Sequence, residues 1–459
     1  MVNLVDTHIA ASWDLRPIAD SGDLLWKAEL GSRAYAGPVV SAGRVFAGTN
    51  NEHPRNSRDT NQRRIDPRTG KPAALDKGVL MCLRESDGAF LWQHVNDKMD
   101  DPVANDWPRE GVCSTPWVEG DRLWYVTNRG EVACLDVNGF ANGNQGWQGE
   151  KYQDSIDADV IWSFDMAKEL GVQVHRMPSS SPLVVGDLVY VITGNGLDTD
   201  KTGVPAPQAP SFIALNKHTG KLVWSDNSPG DKIMHGQWSS PSYGVINGVP
   251  QVVFAGGDGW VRAFEPLTGR PLWKFDLNRD NRSGDDAANR LNHIIATPVI
   301  DGNRVYIASG RNPESGPGVG SLWCLAPASH DMVAWFRGGP KPDVTPPWNF
   351  GRSISTVAVH DGLVYAAEIG GILHCVDAAT GTELWRHDTN STIWGSPLWV
   401  DGKILLADED GKLTVLQASR QKAVLGVTEF DGVVHTSPVV ANGVVYVMTE
   451  KHLYALRSR

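Results

Sequence analysis

A tryptophan that closes a short turn-and-strand phrase recurs along this chain, and no other feature restricts the possible folds as strongly. The phrases S-D-G-A-F-L-W, T-G-K-L-V-W, T-G-R-P-L-W and T-G-T-E-L-W end at Trp92, Trp224, Trp273 and Trp385. Looser copies end at Trp162, Trp335 and, near the start, Trp26. The seventh repeat reads A-V-L through Leu425 and lacks the ring. Self-similarity of this kind marks an architecture in which each unit buries its apolar face against its neighbours. The indole rings are expected to be packing groups between units, and truncating a fully buried one should cost ~3–5 kcal/mol.

A second phrase precedes each of these: a small residue, then Ser, Thr or Gly, then an anchor that is usually proline. The anchors are Pro38, Pro116, Pro182, Pro241, Pro298, Val357, Pro397 and Pro438. Each leads into a Gly- or Asn-containing turn and a second apolar run such as Leu188-Val189-Tyr190-Val191-Ile192, the signature of a hairpin. Eight anchors with about four short strands each predict an all-β chain, a single eight-bladed β-propeller of four-stranded antiparallel blades. The last repeat stops after Tyr454-Ala455-Leu456, one strand short, and residues 23–30 supply that strand. Pairing the two ends removes two open sheet edges. The expected organisation is an N-terminal extension, 1–22, followed by one propeller, 23–459.

Composition narrows the partners. With 42 basic and 53 acidic residues the net charge is −11, which argues against nucleic acid. No apolar run approaches the ~18 residues of a membrane span. Five cysteines include no C-x-x-C pair, no haem-attachment motif and no adjacent pair. Cys82, Cys134, Cys324 and Cys375 share one repeat position with Ala214, Ala263, Val415 and Ala455, and read as small core fillers.

Insertions report a face. In a blade with strands A to D, the B-to-C and D-to-A connections lie on one side. That side carries the long segments 51–77, 96–111, 197–210, 278–292, 311–320 and 338–350, whereas every A-to-B turn is short. Long loops gathered on one rim point to function there. The exception is 138–158, a C-to-D insertion on the opposite face, read as a separate partner-binding loop or a tolerated surface insertion.

The innermost strand starts on the loop-rich face, so residues just before each anchor should line the mouth of the central channel. Five to seven positions upstream stand Arg33, Arg109 with Glu110, His175 with Arg176, His235, His293, Arg352 and Asn390; three upstream stand Trp238, Trp394 and His435. Such a basic ring suits an anionic or polyoxygenated ligand, with guanidinium forks for carboxylates and flat rings for stacking. The plainer alternative is that these groups bond loop carbonyls or channel water.

The phrases T-G-K-L-V-W, D-A-A-T-G-T-E-L-W and S-S-P-L-V-V-G-D-L-V-Y-V resemble the repeats of pyrroloquinoline quinone (PQQ) dehydrogenases and of outer-membrane assembly factor B lipoproteins, over nearly the whole chain. The chain is also similar to bacterial PQQ-binding-like propellers, through N-D-W-P, V-T-N-R-G-E-V, H-G-Q-W-S-S-P and A-G-G-D-G-W. Resemblance to the dehydrogenases implies PQQ at the channel mouth on a Trp floor, Ca²⁺ on carboxylate and amide oxygens, and often a covering Cys-Cys, which is absent here. Oxygen donors on that face include Glu110, Asn128, Asp258, Glu368 and Asp408, none at a spacing that matches the metal triad. The family is usually exported, which implies a periplasmic or extracellular place. Residues 1–11 lack the basic and apolar regions of a secretory signal, so a cytoplasmic one stays open.

Three functions remain. The first is a binding module that takes a small ligand, glycan or polypeptide through the rim. The second is a PQQ- and Ca²⁺-dependent oxidoreductase of alcohols or sugars, without haem. The third is a carbohydrate-active enzyme that uses His and a carboxylate such as Glu110.

Overall fold

A computed structural model describes residues 1–458 except 61, 66–68, 100–105, 280–290 and 340–347. Parts of four of the rim insertions named above therefore lie outside the described residues. Eight antiparallel sheets follow one another, seven with four strands each from 39–97, 117–165, 183–226, 242–276, 299–338, 358–388 and 398–429, and the last with three from 439–457. The eighth is completed by Leu24–Glu29, paired antiparallel with His452–Arg457. The chain is an eight-bladed propeller closed by its N-terminal strand, as the repeats require.

The small-Ser/Thr-Pro phrase acquires a physical reason. Among the described residues, the residue before six of the eight anchors donates its backbone N–H to the hydroxyl at the same position in the next blade. The links run Gly37 to Thr115, Thr115 to Ser181, Ser181 to Ser240, Thr297 to Thr356, Thr356 to Ser396 and Ser396 to Ser437, at 2.7–3.1 Å. The hydroxyls thus stitch neighbouring blades around the channel and satisfy backbone donors that the short inner strands leave unpaired.

The tryptophans sit at one register position on the outermost strand, opposite the small residues: Cys82 faces Trp92, Cys134 Trp162, Cys324 Trp335 and Cys375 Trp385. In every blade a β-bulge lies directly beside this pair. The indole N–H of Trp26, Trp92, Trp162, Trp224, Trp335 and Trp385 reaches the carbonyl of Glu85, Val137, Lys217, Pro266, Ala378 and Ser419, each in the following blade. All five cysteines are free and buried.

Two details depart from the sequence reading. Trp273 is half-buried and turns its N–H to Gln251 Oε1 of its own blade. The ring missing from blade 7 belongs at Gly426, opposite Val415, rather than at Leu425. The bulge shifts the register by one residue, which counting along the strand does not reveal. Trp13 fills the gap. It is 6% exposed, packs among Leu413, Val415, Tyr454 and Leu456, and donates its indole N–H to Arg457 O of blade 8 at 3.0 Å.

Residues ahead of the closing strand are built in elsewhere too. Val2–Asn3 adds a parallel strand to Leu398–Val400, and Asn3 Nδ2 donates to Val440 O. Segment 138–158 climbs the outer edge of blade 1, exchanging backbone bonds with Gln93. It meets the 51–77 insertion through Asp157 on Arg58 and Tyr152 on Lys77. Among the described residues no helix is long and apolar enough to cross a membrane.

Candidate functional site at the channel mouth

The residues three positions before the eight anchors are Tyr35, Cys113, Ser179, Trp238, Ile295, Ile354, Trp394 and His435. All eight line one cavity of about 270 Å³ on the channel axis. The repeat delivers them: each blade presents the same backbone position to the centre, and the hydroxyl stitches hold those positions level. Trp107, Glu110, Arg176, Met177, Asn312 and Glu314 rise above this ring from the long connections. The Arg176 guanidinium lies 4.1 Å from the Trp107 ring centre.

One side of the mouth is internally paired. Glu409 Oε1 accepts from Trp394 Nε1 at 2.6 Å and lies 3.1 Å from His435 Nε2. The bond from His435, with others from Thr392 and Trp394, holds the Glu409 carboxyl at about 2. Tyr35 stacks on His435, with centroids 5.0 Å apart and planes 8° from parallel. Burial pushes the Tyr35 hydroxyl upward, and Glu110 adds to the effect.

The other side gathers three imidazoles from consecutive connections. His175 and His235 lie 4.6 Å apart edge-on, and His235 and His293 lie 5.8 Å apart nearly parallel. Trp238 is 5.1 Å from His235. Burial is the main cause that pulls His175 down to about 4 and His235 and His293 to about 3, with neighbouring cations adding to it.

Of the residues singled out in the sequence, Glu110, Arg176, His235, Trp238, Trp394 and His435 line this cavity. His293 lines an adjoining one of about 520 Å³ with His235, Lys201 and Arg311. His175 is buried behind His235, its Nδ1 2.7 Å from Leu197 O. Arg33 is ion-paired to Glu450, Arg109 pairs with Glu52 at 2.9 Å, and Arg352 donates to Ser315 O at 3.0 Å. Those three serve the loops around the mouth. Asn390 sits in a turn at positive φ and donates its backbone N–H to Asp388.

The oxygen donors do not converge. Asp258 is clamped by Arg262 at 2.5 and 3.0 Å. Glu368 takes His374 Nε2 at 2.6 Å and the Gly351 N–H at 2.6 Å. Asn128 donates to Asp106, and Asp408 accepts from Lys412 N. Among the described residues no group of three or more His, Cys, Asp or Glu is placed to hold a metal ion. The donor set does not fit Ca²⁺ held as in a quinone dehydrogenase, and no adjacent cysteines stand over the mouth.

Fold and mouth together define a PQQ-like repeat propeller with an aromatic, His-rich channel entrance. The profile of the family described as outer membrane protein assembly factor BamB matches residues 76–335 and 333–424, and the chain belongs to that family. It is 26% identical over 201 residues to outer membrane protein assembly factor BamB of Xanthomonas campestris pv. campestris, covering 38% of this chain and 48% of that protein. It is 32% identical over 116 residues to polyvinylalcohol dehydrogenase of Sphingopyxis sp., covering 23% and 18%. The chain thus matches less than half the length of these two relatives. The crystal structure of BamB from Moraxella catarrhalis superposes with a TM-score of 0.61 at 16% identity, over 95% of this chain and 99% of that one. At such identity the likeness speaks for the fold alone.

Proposed function

We propose that this chain is a non-catalytic binding propeller that engages a polypeptide partner through its loop-rich face and seats a side chain of that partner at the channel mouth. The observation that carries this reading is the ring three positions before the anchors: eight blades deliver mainly aromatic and apolar side chains to one cavity, with Arg176 and Glu110 at its lip. Concave apolar floors with a few polar groups at the edge are what anchor residues of a partner require. The family's description as an assembly factor supports a polypeptide partner and a periplasmic or extracellular place.

The dehydrogenase reading finds no support in the donor set described above. Peptide selection on the immobilised full chain, with a Trp394→Ala, Arg176→Glu double variant as counter-target, tests the proposal. Peptides kept by the natural chain and lost by the variant are expected. Peptides held equally by both would place the site elsewhere.

A further inference from the structure

The insertion 138–158 interrupts the repeat and takes no part in the channel mouth, yet it is pinned at several points. Trp147 N–H donates to Val160 O at 2.8 Å on the outermost strand of blade 2, and Gln145 N–H to Asp159 at 2.7 Å. Ala158 N–H donates to Gln93 O at 2.8 Å on the outermost strand of blade 1. Between those two strands the insertion walls a cavity of about 500 Å³, which shares no lining residue with the one at the mouth. Its size falls in the range of roughly 300–1,000 Å³ that small-molecule sites occupy.

Trp147 lines this cavity and is 56% exposed, an uncommon state for so large a ring. Gly149 prepares its place: an ideal Cβ there would lie 2.8 Å from the indole, so a side chain at that position would displace the ring. With its backbone bonded and its ring seated over a glycine, Trp147 offers a flat apolar surface.

The blade strands add polar groups. His94 lines the same cavity, and its Nδ1 lies 2.6 Å from the hydroxyl of Tyr125, which is fully buried and accepts from Asn96 Nδ2 at 3.1 Å. Among the described residues His94 Nδ1 is the one acceptor placed for that hydroxyl proton, so the neutral ring carries its own proton on Nε2. Burial holds His94 at about 4, which keeps the ring neutral. His94 Nε2–H, the Asn96 amide oxygen and the Ser163 hydroxyl remain for a guest.

The charges of the lining are taken. Asp97 pairs with Lys77 at 3.2 Å and with Lys151, Asp157 with Arg58 at 2.6 Å, and Arg129 with Glu131 at 3.5 Å. Glu150 accepts the Val160 N–H at 3.2 Å, and Asp165 that of Lys168 at 3.0 Å. Lys168 and Glu169 follow each other on the exposed edge with opposite signs. An ionic guest would have to break existing pairs, whereas hydroxyls, each donor and acceptor at once, match the neutral groups left over. A pyranose joins such hydroxyls to an apolar C–H face, the complement of an indole.

We infer that the cavity between blades 1 and 2 is a site for a neutral saccharide, with a sugar ring stacked on Trp147 and hydroxyls bonded to His94, Asn96 and Ser163.

Saturation-transfer NMR titrations of the full chain with cellobiose, maltose, lactose, mannobiose and N,N′-diacetylchitobiose test this. Saturable binding of at least one is expected, with the strongest transfer to its C–H protons. Trp147→Ala should weaken it about tenfold or more, the apolar contact of one ring, and Trp147→Tyr, which keeps a flat face, should weaken it less. Unfolding midpoints of both variants establish that they are folded. No saturable binding of any of these sugars overturns the inference, as does binding unchanged in Trp147→Ala. Tighter binding of digalacturonate, an anion, or of the glucosamine dimer, a cation, than of every neutral sugar would make this an ion site and overturn the assignment. Peptide capture at the channel mouth should persist in Trp147→Ala. Its loss together with sugar binding would put both ligands in one place and contradict a separate site.

Discussion

Trp13 donates its indole N–H to the Arg457 carbonyl at 3.0 Å, so a residue ahead of the first blade bridges the seam between the last two. The backbone beside it explains the exchange: an ideal Cβ on Gly426 would lie 2.4 Å from Ala11 O. The seam thus receives its ring from residue 13, and the strand that should carry one stays bare. Trp13→Ala is expected to destabilise the chain by ~3–5 kcal/mol, the range for a buried Trp. Gly426→Trp should also destabilise it, because the new side chain displaces segment 9–13. Urea unfolding followed by tryptophan emission checks both.

The tryptophans of the repeat are not equivalent. Trp224 is buried and bonded to the next blade, whereas Trp273 is half-buried and bonded within its own. Each variant loses one hydrogen bond, but less apolar surface is buried around Trp273, so Trp273→Ala should cost less than Trp224→Ala by at least ~1 kcal/mol. Paired denaturation curves decide it.

The channel imidazoles predict an acid sensitivity of defined sign. His175, His235 and His293 are held at about 4, about 3 and about 3 against an ordinary 6.5. In the unfolded chain they take up protons as pH falls below 6.5, while in the fold His175 stays neutral to about 4 and His235 and His293 to about 3. Their contribution is complete above 6.5 and is lost on acidification through that window. His235→Asn should flatten the fall of the urea midpoint on acidification. An unchanged slope would show that other groups set it.

His374 behaves oppositely. Burial alone would lower it, but Glu368 at 2.6 Å and Glu383 at 2.7 Å outweigh burial and raise it. Its stabilising contribution is present at low pH, below its unfolded value, and is lost as pH rises through the raised folded one. Glu383 is lowered to about 2, so its contribution is present above 4.5 and lost towards 2. The stability gap between the natural chain and His374→Gln should narrow in alkali, measured by unfolding midpoints across pH.

Eight blades and their closure were legible because turn chemistry and a large ring recur at fixed register, and each copy repeats the same local argument. The N-terminal segment was not, since Trp13 joins the pattern in space without joining it in sequence. At the mouth, reading for charge five to seven positions before the anchor found the histidines, but it also picked Arg33, Arg109 and Arg352, whose long side chains serve neighbouring loops. The floor was three positions before the anchor throughout. Trp238, Trp394 and His435 had that offset, and extending it to Tyr35, Cys113, Ser179, Ile295 and Ile354 would have drawn the whole ring. Glu314 and Asn312 come from an insertion with no repeat to place them.

The central claim is that the loop-rich mouth is where a partner binds. A peptide selected on the full chain, carrying a photo-crosslinking side chain, can be attached to its site and the adduct located by mass spectrometry. Adducts on the segments around Tyr35, Trp107, Trp238 and Trp394 are predicted. Adducts confined to the short-turn face or to segment 138–158 would contradict the account.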